Sequence, residues 1–297
     1  MNSAASIKGK LRNLAVQEGK PYEYVQTHYL IERLLYRLSI SRFSHDFILK
    51  GGLLLYAIFE ERARATRDID LLAIRGSNAP DSIKSIFTEL SGLSVDDAVT
   101  FDPDSIETEH ISEGANYRGV RVKIIGFLNR SRNTLRFDIG FGDTVVPRPE
   151  EMIYPSLLGM DETRLLVYSK ESVVAEKFQA MLYLAQANSR MKDFYDIGIL
   201  ASGFDFDGAV LREAVYQTVT RRGTVLEASP TVFTEEFASL PDKTAQWHAF
   251  LTRIRHNEGS FVEILTLIRR FLGPIYQSIL HEKEYTAIWR YNLRSWG

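Results

Sequence analysis

Two segments near the middle of the chain alternate strictly between apolar and other residues. In GVRVKIIGFL, Val120, Val122 and Ile124 alternate with Arg121 and Lys123; in LRFDIGFGDTV, Leu135, Phe137, Ile139 and Phe141 alternate with Arg136, Asp138 and two glycines. A period of two places the apolar side chains on one face of a strand and the charges on the other. Strands of that kind are stable in a sheet with one face buried and one face open. A third strand is predicted over DIDLLAI, apolar on one face with carboxylates on the other. Helices are predicted over 6–18, 24–40, roughly Gly52 to Glu61, and 81–91. The second rests on Val25, Tyr29, Ile31, Leu34, Leu35 and Leu38 recurring at helical spacing. The stretch TVVPRPEEMIYPSL holds three prolines and reads as the way out of the sheet.

After Leu165 the pattern turns helical. SKESVVAEKFQAMLYLAQA offers Ser169 as an N-cap and Glu171 in the first turn, and MKDFYDIGILAS follows as a second helix. VLREAVYQTVTRRG, the segment around TAQWHAFLTRI, and SFVEILTLIRRFLGPIYQSIL give further helices. The expected fold class is α+β: a mixed sheet with flanking helices in residues 1–165, then an all-helical domain in 166–297. A chain of 297 residues has room for two such cores.

Composition narrows the function. The formal net charge is −2, so no global basic field points to nucleic acid. With no cysteine, disulfides, thiolate zinc sites and cysteine nucleophiles are excluded, and the usage suits a reducing cytoplasm. The N-terminal stretch lacks the apolar core of a secretory signal, and no apolar run approaches the ~20 residues of a membrane span. The six histidines show no metal-binding spacing. Ser85 to Tyr117 carries eight acidic residues and no Lys or Arg, which reads as ordinary surface.

The chemistry gathers between Lys50 and Leu72. In DID, Asp68 and Asp70 lie two apart on a strand and project from the same face. Two neighbouring carboxylates repel, and either a divalent cation or a basic side chain such as Arg64 or Arg67 relieves that. Oxygen-only ligands with room for water suit Mg²⁺. Upstream, Gly51-Gly52 lets a ligand approach the backbone and opens a helix whose N-terminal amides favour anions. A phosphate site beside paired acids is what nucleotidyl transfer needs.

The pattern GG-x15-D-I-D, with Arg64-x-Thr66 before the first acid, resembles the opening motif of the DNA polymerase β-like nucleotidyltransferases. In particular it resembles the AbiEii family, the toxin components of type IV toxin–antitoxin and abortive-infection systems. The resemblance implies a nucleotidyltransferase fold with a third carboxylate between apolar residues on a later strand. Asp138 in Phe137-Asp138-Ile139 fits; Asp143, after the Gly140/Gly142 bend, fits less well. AEKFQAM resembles the family's A-E-K-L motif, with Phe178 in place of leucine, and SRMKDFYDI resembles its R-x-x-D-x-x-D segment. The implied metal ligands for Mg²⁺ or Mn²⁺ are Asp68, Asp70 and Asp138. Lys177 and Asp193 join Asp68 and Asp70 as catalytic residues, and Lys50, Gly51, Gly52, Thr66, Lys177 and Arg190 as binders of the NTP. Lys177 falls on the apolar side of its helix, where its partner is either a triphosphate or a nearby Asp. Asp196 reads as structural, an i,i+4 partner of Lys192.

The resemblance implies transfer of an NMP from an NTP to an RNA acceptor such as the tRNA 3′ end, and neutralisation by a separately encoded antitoxin. A small-molecule nucleotidyltransferase and a non-catalytic binding module are the competing readings. For RNA, the sequence offers a platform of Arg269, Arg270, Arg290 and Arg294 among Tyr285, Trp289, Tyr291 and Trp296, extended by Arg221 and Arg222. The opposing reading is a packed terminal helix with solvated arginines.

Overall fold

The computed structural model describes residues 3–59, 64–112, 118–256 and 259–297. They belong to two compact units, Met1–Gly142 with Glu150–Val167, and Asp143–Pro149 with Tyr168–Gly297.

The first unit opens with helices α1 (Ala4–Gln17) and α2 (Tyr22–Ser39), then strand β1 (Phe47–Lys50), helix α3 (Gly51–Phe59), strand β2 (Asp68–Ala73) and helix α4 (Pro80–Ser91). Strands β3 (Val99–Ser112), β4 (Arg118–Leu128), β5 (Ser131–Phe141), β6 (Glu150–Tyr154) and β7 (Thr163–Val167) complete it. One seven-stranded sheet results, in the order β3-β4-β5-β2-β1-β7-β6. It is mixed: β2 runs parallel to β5 and β1 parallel to β7, and the other pairings are antiparallel. The apolar half of each alternating strand is sealed, with Val120, Val122, Ile124, Ile69 and Ile139 all at 0% exposure. Leu34, Leu35 and Leu38 of α2 and Phe87 and Leu90 of α4 close over Leu71 and Phe137 on that face. Phe87 meets Phe137 edge to face, with centroids 5.0 Å apart.

Several expectations change here. The FILK segment is a strand, β1, because its neighbours on both sides pair with it. The acidic stretch is no plain surface: much of it is β3, an edge strand paired with β4 through a register shift between Asp102 and Glu107. Its charges hid the strand from a periodicity reading and also guard an open sheet edge against further pairing. Glu60 and Glu61, where α3 was expected to end, and Glu113 to Tyr117 lie outside the described residues. TVVPRPEEMIYPSL does not leave the sheet for good. Its Asp143–Pro149 part belongs to the second unit, with Val146-Pro147 cis, and Glu150–Tyr154 returns as edge strand β6.

The second unit contains α5 (Lys170–Leu184), α6 (Met191–Gly203), strand β8 (Phe206–Asp207), α7 (Gly208–Arg221), α8 (Glu235–Ser239), α9 (Pro241–Arg253) and α10 (Phe261–Leu280). The Ser169 hydroxyl accepts from the Ser172 amide as the cap of α5, as its sequence suggests. A full capping box of Ser260 with Glu263 starts α10. The unit is mainly helical but not all-helical. Strands β9 (Ile288–Arg290) and β10 (Ser295–Trp296) form a hairpin, and β9 also pairs with β8. The terminal helix of the opposing reading is therefore absent. Trp289 and Trp296 pack against Phe271 there, and a hairpin lets both rings reach one point of the core.

Asp97, inside the acidic stretch, is fully buried. Arg37 of α2 donates Nη1 to its Oδ2 at 2.7 Å and Nη2 to its Oδ1 at 3.2 Å, tying α2 to the start of β3. Breaking one side of such a pair strands the other charge in the core, at about 3–5 kcal/mol. We expect Asp97→Ala to lower the thermal midpoint followed by far-ultraviolet circular dichroism by several degrees.

Candidate active site

Parallel pairing of β2 with β5 sets the geometry. The register matches Asp68 with Arg136 and Asp70 with Asp138. In-register residues point the same way from a sheet, so Asp68, Asp70 and Asp138 share the open face, opposite α2 and α4. Lys50, last in β1, is in register with Asp70 on its other side. The chain then turns through Gly51, at φ +70°, into α3. A Cβ on Gly51 would collide with the Asp70 carboxylate, lying 2.7 Å from its Cγ. A Cβ on Gly52 would come within 3.1 Å of Thr66 Oγ1 and 2.9 Å of an Arg64 amino group. Each glycine thus allows a close approach that any other residue would block.

Thr66 is nearly buried at 9% exposure, and its hydroxyl lies 3.4 Å from the Asp68 carbonyl oxygen. Its own carbonyl accepts a 2.8 Å hydrogen bond from His28 Nε2. A carbonyl can only accept, so the His28 proton sits on Nε2. Burial is the main force driving the His28 pKa down, to about 4, so the ring stays neutral at ordinary pH.

The three acids meet different neighbours. Asp138 is gripped by Arg121 across β4 and β5, Nε to Oδ1 at 2.7 Å and Nη2 to Oδ2 at 2.8 Å. That pairing raises the Arg121 pKa above its ordinary value. Asp68 is exposed and only 4.0 Å from Arg136 at closest. Among the described residues, no three of His, Asp or Glu converge closely enough to hold a metal ion as they stand. The donor set and shared face fit a hard divalent cation. Arg121 and Arg136 were visible in the sequence only as the polar half of an alternation. What the sequence could not supply was the register that sets them beside the acids.

Asp143 is not part of this face. It belongs to the second unit, where Arg222 Nη2 binds its two oxygens at 3.1 and 3.3 Å and Glu176 at 3.1 Å.

The helical motifs also meet one another. Lys177 on α5 donates to Asp193 Oδ1 at 3.0 Å and to Asp196 Oδ2 at 2.7 Å, both on α6. Arg190 Nε donates to the other Asp193 oxygen at 2.6 Å. Asp193 and Asp196 are fully buried. Burial alone would raise the Asp193 pKa; the Lys177 and Arg190 charges and hydrogen bonds outweigh it and hold the carboxyl below its usual value. Of the two partners the sequence allowed for Lys177, the nearby Asp is the one observed. Asp196 is a partner of Lys177 and more than an i,i+4 mate of Lys192.

Part of the candidate C-terminal platform is taken up by packing. Trp289 is fully buried and donates Nε1 to the Ala201 carbonyl at 2.7 Å. Trp296 stacks on Phe271 and meets Tyr285 edge-on. Arg290 is held by Asp205 at 2.6 Å. Trp289 is thus spent on the core, Tyr285 and Trp296 are half-buried against it, and Tyr291 is exposed.

Carboxylates in register on one sheet face, beside a glycine-opened helix, equip a protein for chemistry on phosphate esters. A family model described as nucleotidyl transferase AbiEii toxin, type IV TA system, matches residues 33–267. The chain belongs to that family and is a nucleotidyltransferase, as its motifs imply. Family membership brings an NTP substrate and an antitoxin partner at the level of the family. Among curated proteins none matches. Two solved structures are loosely similar. One is a Helicobacter pylori protein described as a candidate nucleotidyltransferase, at 14% identity over 89% of this chain and 99% of that one, with a TM-score of 0.46. The other is JHP933 from Helicobacter pylori, at 15% identity over 88% and 93%, with a TM-score of 0.45. No helix among the described residues is long and apolar enough to cross a membrane.

Removing Lys177 leaves two buried carboxylates short of a cation. We expect Lys177→Ala to cost about 3–5 kcal/mol at neutral pH. All three tryptophans, Trp247, Trp289 and Trp296, lie in the second unit, so urea unfolding followed by their fluorescence reads this directly. A depressed carboxyl pKa adds stability above the unfolded value, lost as pH falls through the folded one. The variant's deficit should therefore shrink as pH falls below the ordinary aspartate range and through the lowered Asp193 pKa.

Proposed function

We propose that the open face around Asp68, Asp70 and Asp138 is a metal-dependent nucleotidyl-transfer centre, and that it moves an NMP from an NTP to a hydroxyl of RNA. The observation that carries this is the register of Asp70 with Asp138 across a parallel strand pair, with the Gly51 backbone against the Asp70 carboxylate. A divalent cation, Mg²⁺ or Mn²⁺, held by Asp68, Asp70 and Asp138 would neutralise polyphosphate charge and bring the acceptor hydroxyl to an α-phosphorus. The first amides of α3, at Gly51 and Gly52, donate to phosphate oxygens, aided by the helix dipole. Lys50, in register beside Asp70, adds a cation at the same edge, and the Thr66 hydroxyl lies at the same helix start. In the step itself the acceptor oxygen bonds to the α-phosphorus while the bond to pyrophosphate breaks. The hydroxyl proton passes to a carboxylate oxygen of the trio.

Lys177, Asp193 and Arg190 take a supporting role in this proposal. With Asp196 their charges balance, and the network fixes α5 against α6. RNA as acceptor, with the tRNA 3′ end as the form to test first, rests on family membership and not on the C-terminal rings. An antitoxin encoded separately and a cytoplasmic setting complete the proposal.

The test is incubation with each α-labelled NTP, total RNA and Mg²⁺ or Mn²⁺. We expect label on RNA, lost by at least a hundredfold in Asp70→Asn with the circular dichroism spectrum kept, since the metal contributes several kcal/mol to the barrier. Label that appears on small molecules alone, or an active Asp70→Asn, would contradict it.

A further inference from the structure

The charged face of the sheet carries complete cross-strand rows. One runs Glu109, Arg121, Asp138, Asp70, Lys50 across β3, β4, β5, β2 and β1. The next runs Glu107, Lys123, Arg136, Asp68. Arginines thus flank the acids in both rows, yet only one is docked. Arg136 stops 4.0 Å from Asp68 with half its side chain in solvent. Arg121 spans both oxygens of Asp138, with its side chain 30% and that of Asp138 20% exposed. This partly sheltered, bidentate pair is the strong kind of charge-assisted contact.

A divalent ion bound to Asp138 at about 2.1 Å would lie within ~5 Å of that guanidinium. Like charges that close repel, more so away from bulk water. Metal and docked Arg121 therefore compete for one carboxylate. A guanidinium fork fits phosphate oxygens as well as it fits a carboxylate. A polyphosphate laid on this face beside α3 gives it somewhere else to go.

We propose that Arg121 is a positioning residue that guards Asp138, holding the third carboxylate from the metal until a nucleoside triphosphate draws the guanidinium onto its phosphate oxygens. The proposal rests on the metal-dependent reading of this face. Its consequence is coupling: nucleotide and metal each strengthen the other's binding by the same factor. A metal site completed only with substrate present would not be filled idly.

Calorimetry of Mn²⁺ binding to the full chain tests this, with and without an NTP analogue whose α,β-bridge cannot be cleaved. Wild type, Arg121→Gln, Arg121→Lys and Asp138→Asn are compared, each checked for fold by circular dichroism. We expect wild type to bind Mn²⁺ weakly alone and more tightly with the analogue. Arg121→Gln should bind Mn²⁺ alone on the order of three- to tenfold more tightly, with the analogue adding less. Arg121→Lys keeps the charge but loses the fork, so it should fall between the two. It decides the matter if the glutamine variant misfolds. Unchanged or weaker Mn²⁺ binding in both Arg121 variants would overturn the guard and make Arg121 a brace. No Mn²⁺ binding in any protein even with the analogue, or Asp138→Asn binding as wild type does in the presence of the analogue, would instead remove the metal reading beneath it.

Discussion

The pairing of β2 with β5 forces Asp70 and Asp138 side by side, and two anions at that spacing repel. A sheet tolerates this only when something else fixes the register. Here the opposite face does so: Ile69, Phe137 and Ile139 are sealed beneath α2 and α4, and a slip of one residue would turn all of them to water. The strain of the open face is thus held by burial on the closed one. Gly51 belongs to the same constraint, since the chain must pass the Asp70 carboxylate as it turns into α3.

The two charge clusters of the molecule obey different logic. On the sheet Asp68 is exposed with Arg136 4.0 Å away, while Asp138 is partly sheltered and held by Arg121. In the helical unit, Lys177 meets Asp193 and Asp196 in a buried set, and Arg190 closes the charge balance from the surface. A buried set of that kind resists change because losing any member leaves an uncompensated charge. The contrast underlies the proposed reactive face in one unit and the proposed supporting role of the cluster in the other.

The sheet acids were legible in the sequence because alternation alone assigns faces, and the glycine pair marks a backbone that must be approached closely. The helical pattern after Leu165 was equally plain, since α5, α7 and α10 have side-chain caps, and these three and α6 have apolar stripes that local physics reads. Three things were not. β3 was hidden because an edge strand carries charge where periodicity looks for apolar residues. Arg121 looked like any outward strand residue, because its significance lies in which residue it faces on β5. Trp289 and Trp296 looked like a binding surface because a terminal hairpin and a terminal helix draw on the same aromatic composition, and only packing against Phe271 decides between them.

Paramagnetic broadening by Mn²⁺ locates the cation directly. Isoleucine methyl labels report on both clusters: Ile69 and Ile139 adjoin the sheet acids, and Ile197 adjoins Asp196. As Mn²⁺ is titrated from well below one equivalent, the account expects the Ile69 and Ile139 signals to broaden first and most, and Asp70→Asn to abolish that preference. Broadening that begins at Ile197, or spreads evenly over all isoleucines, would contradict a metal centre on the open sheet face.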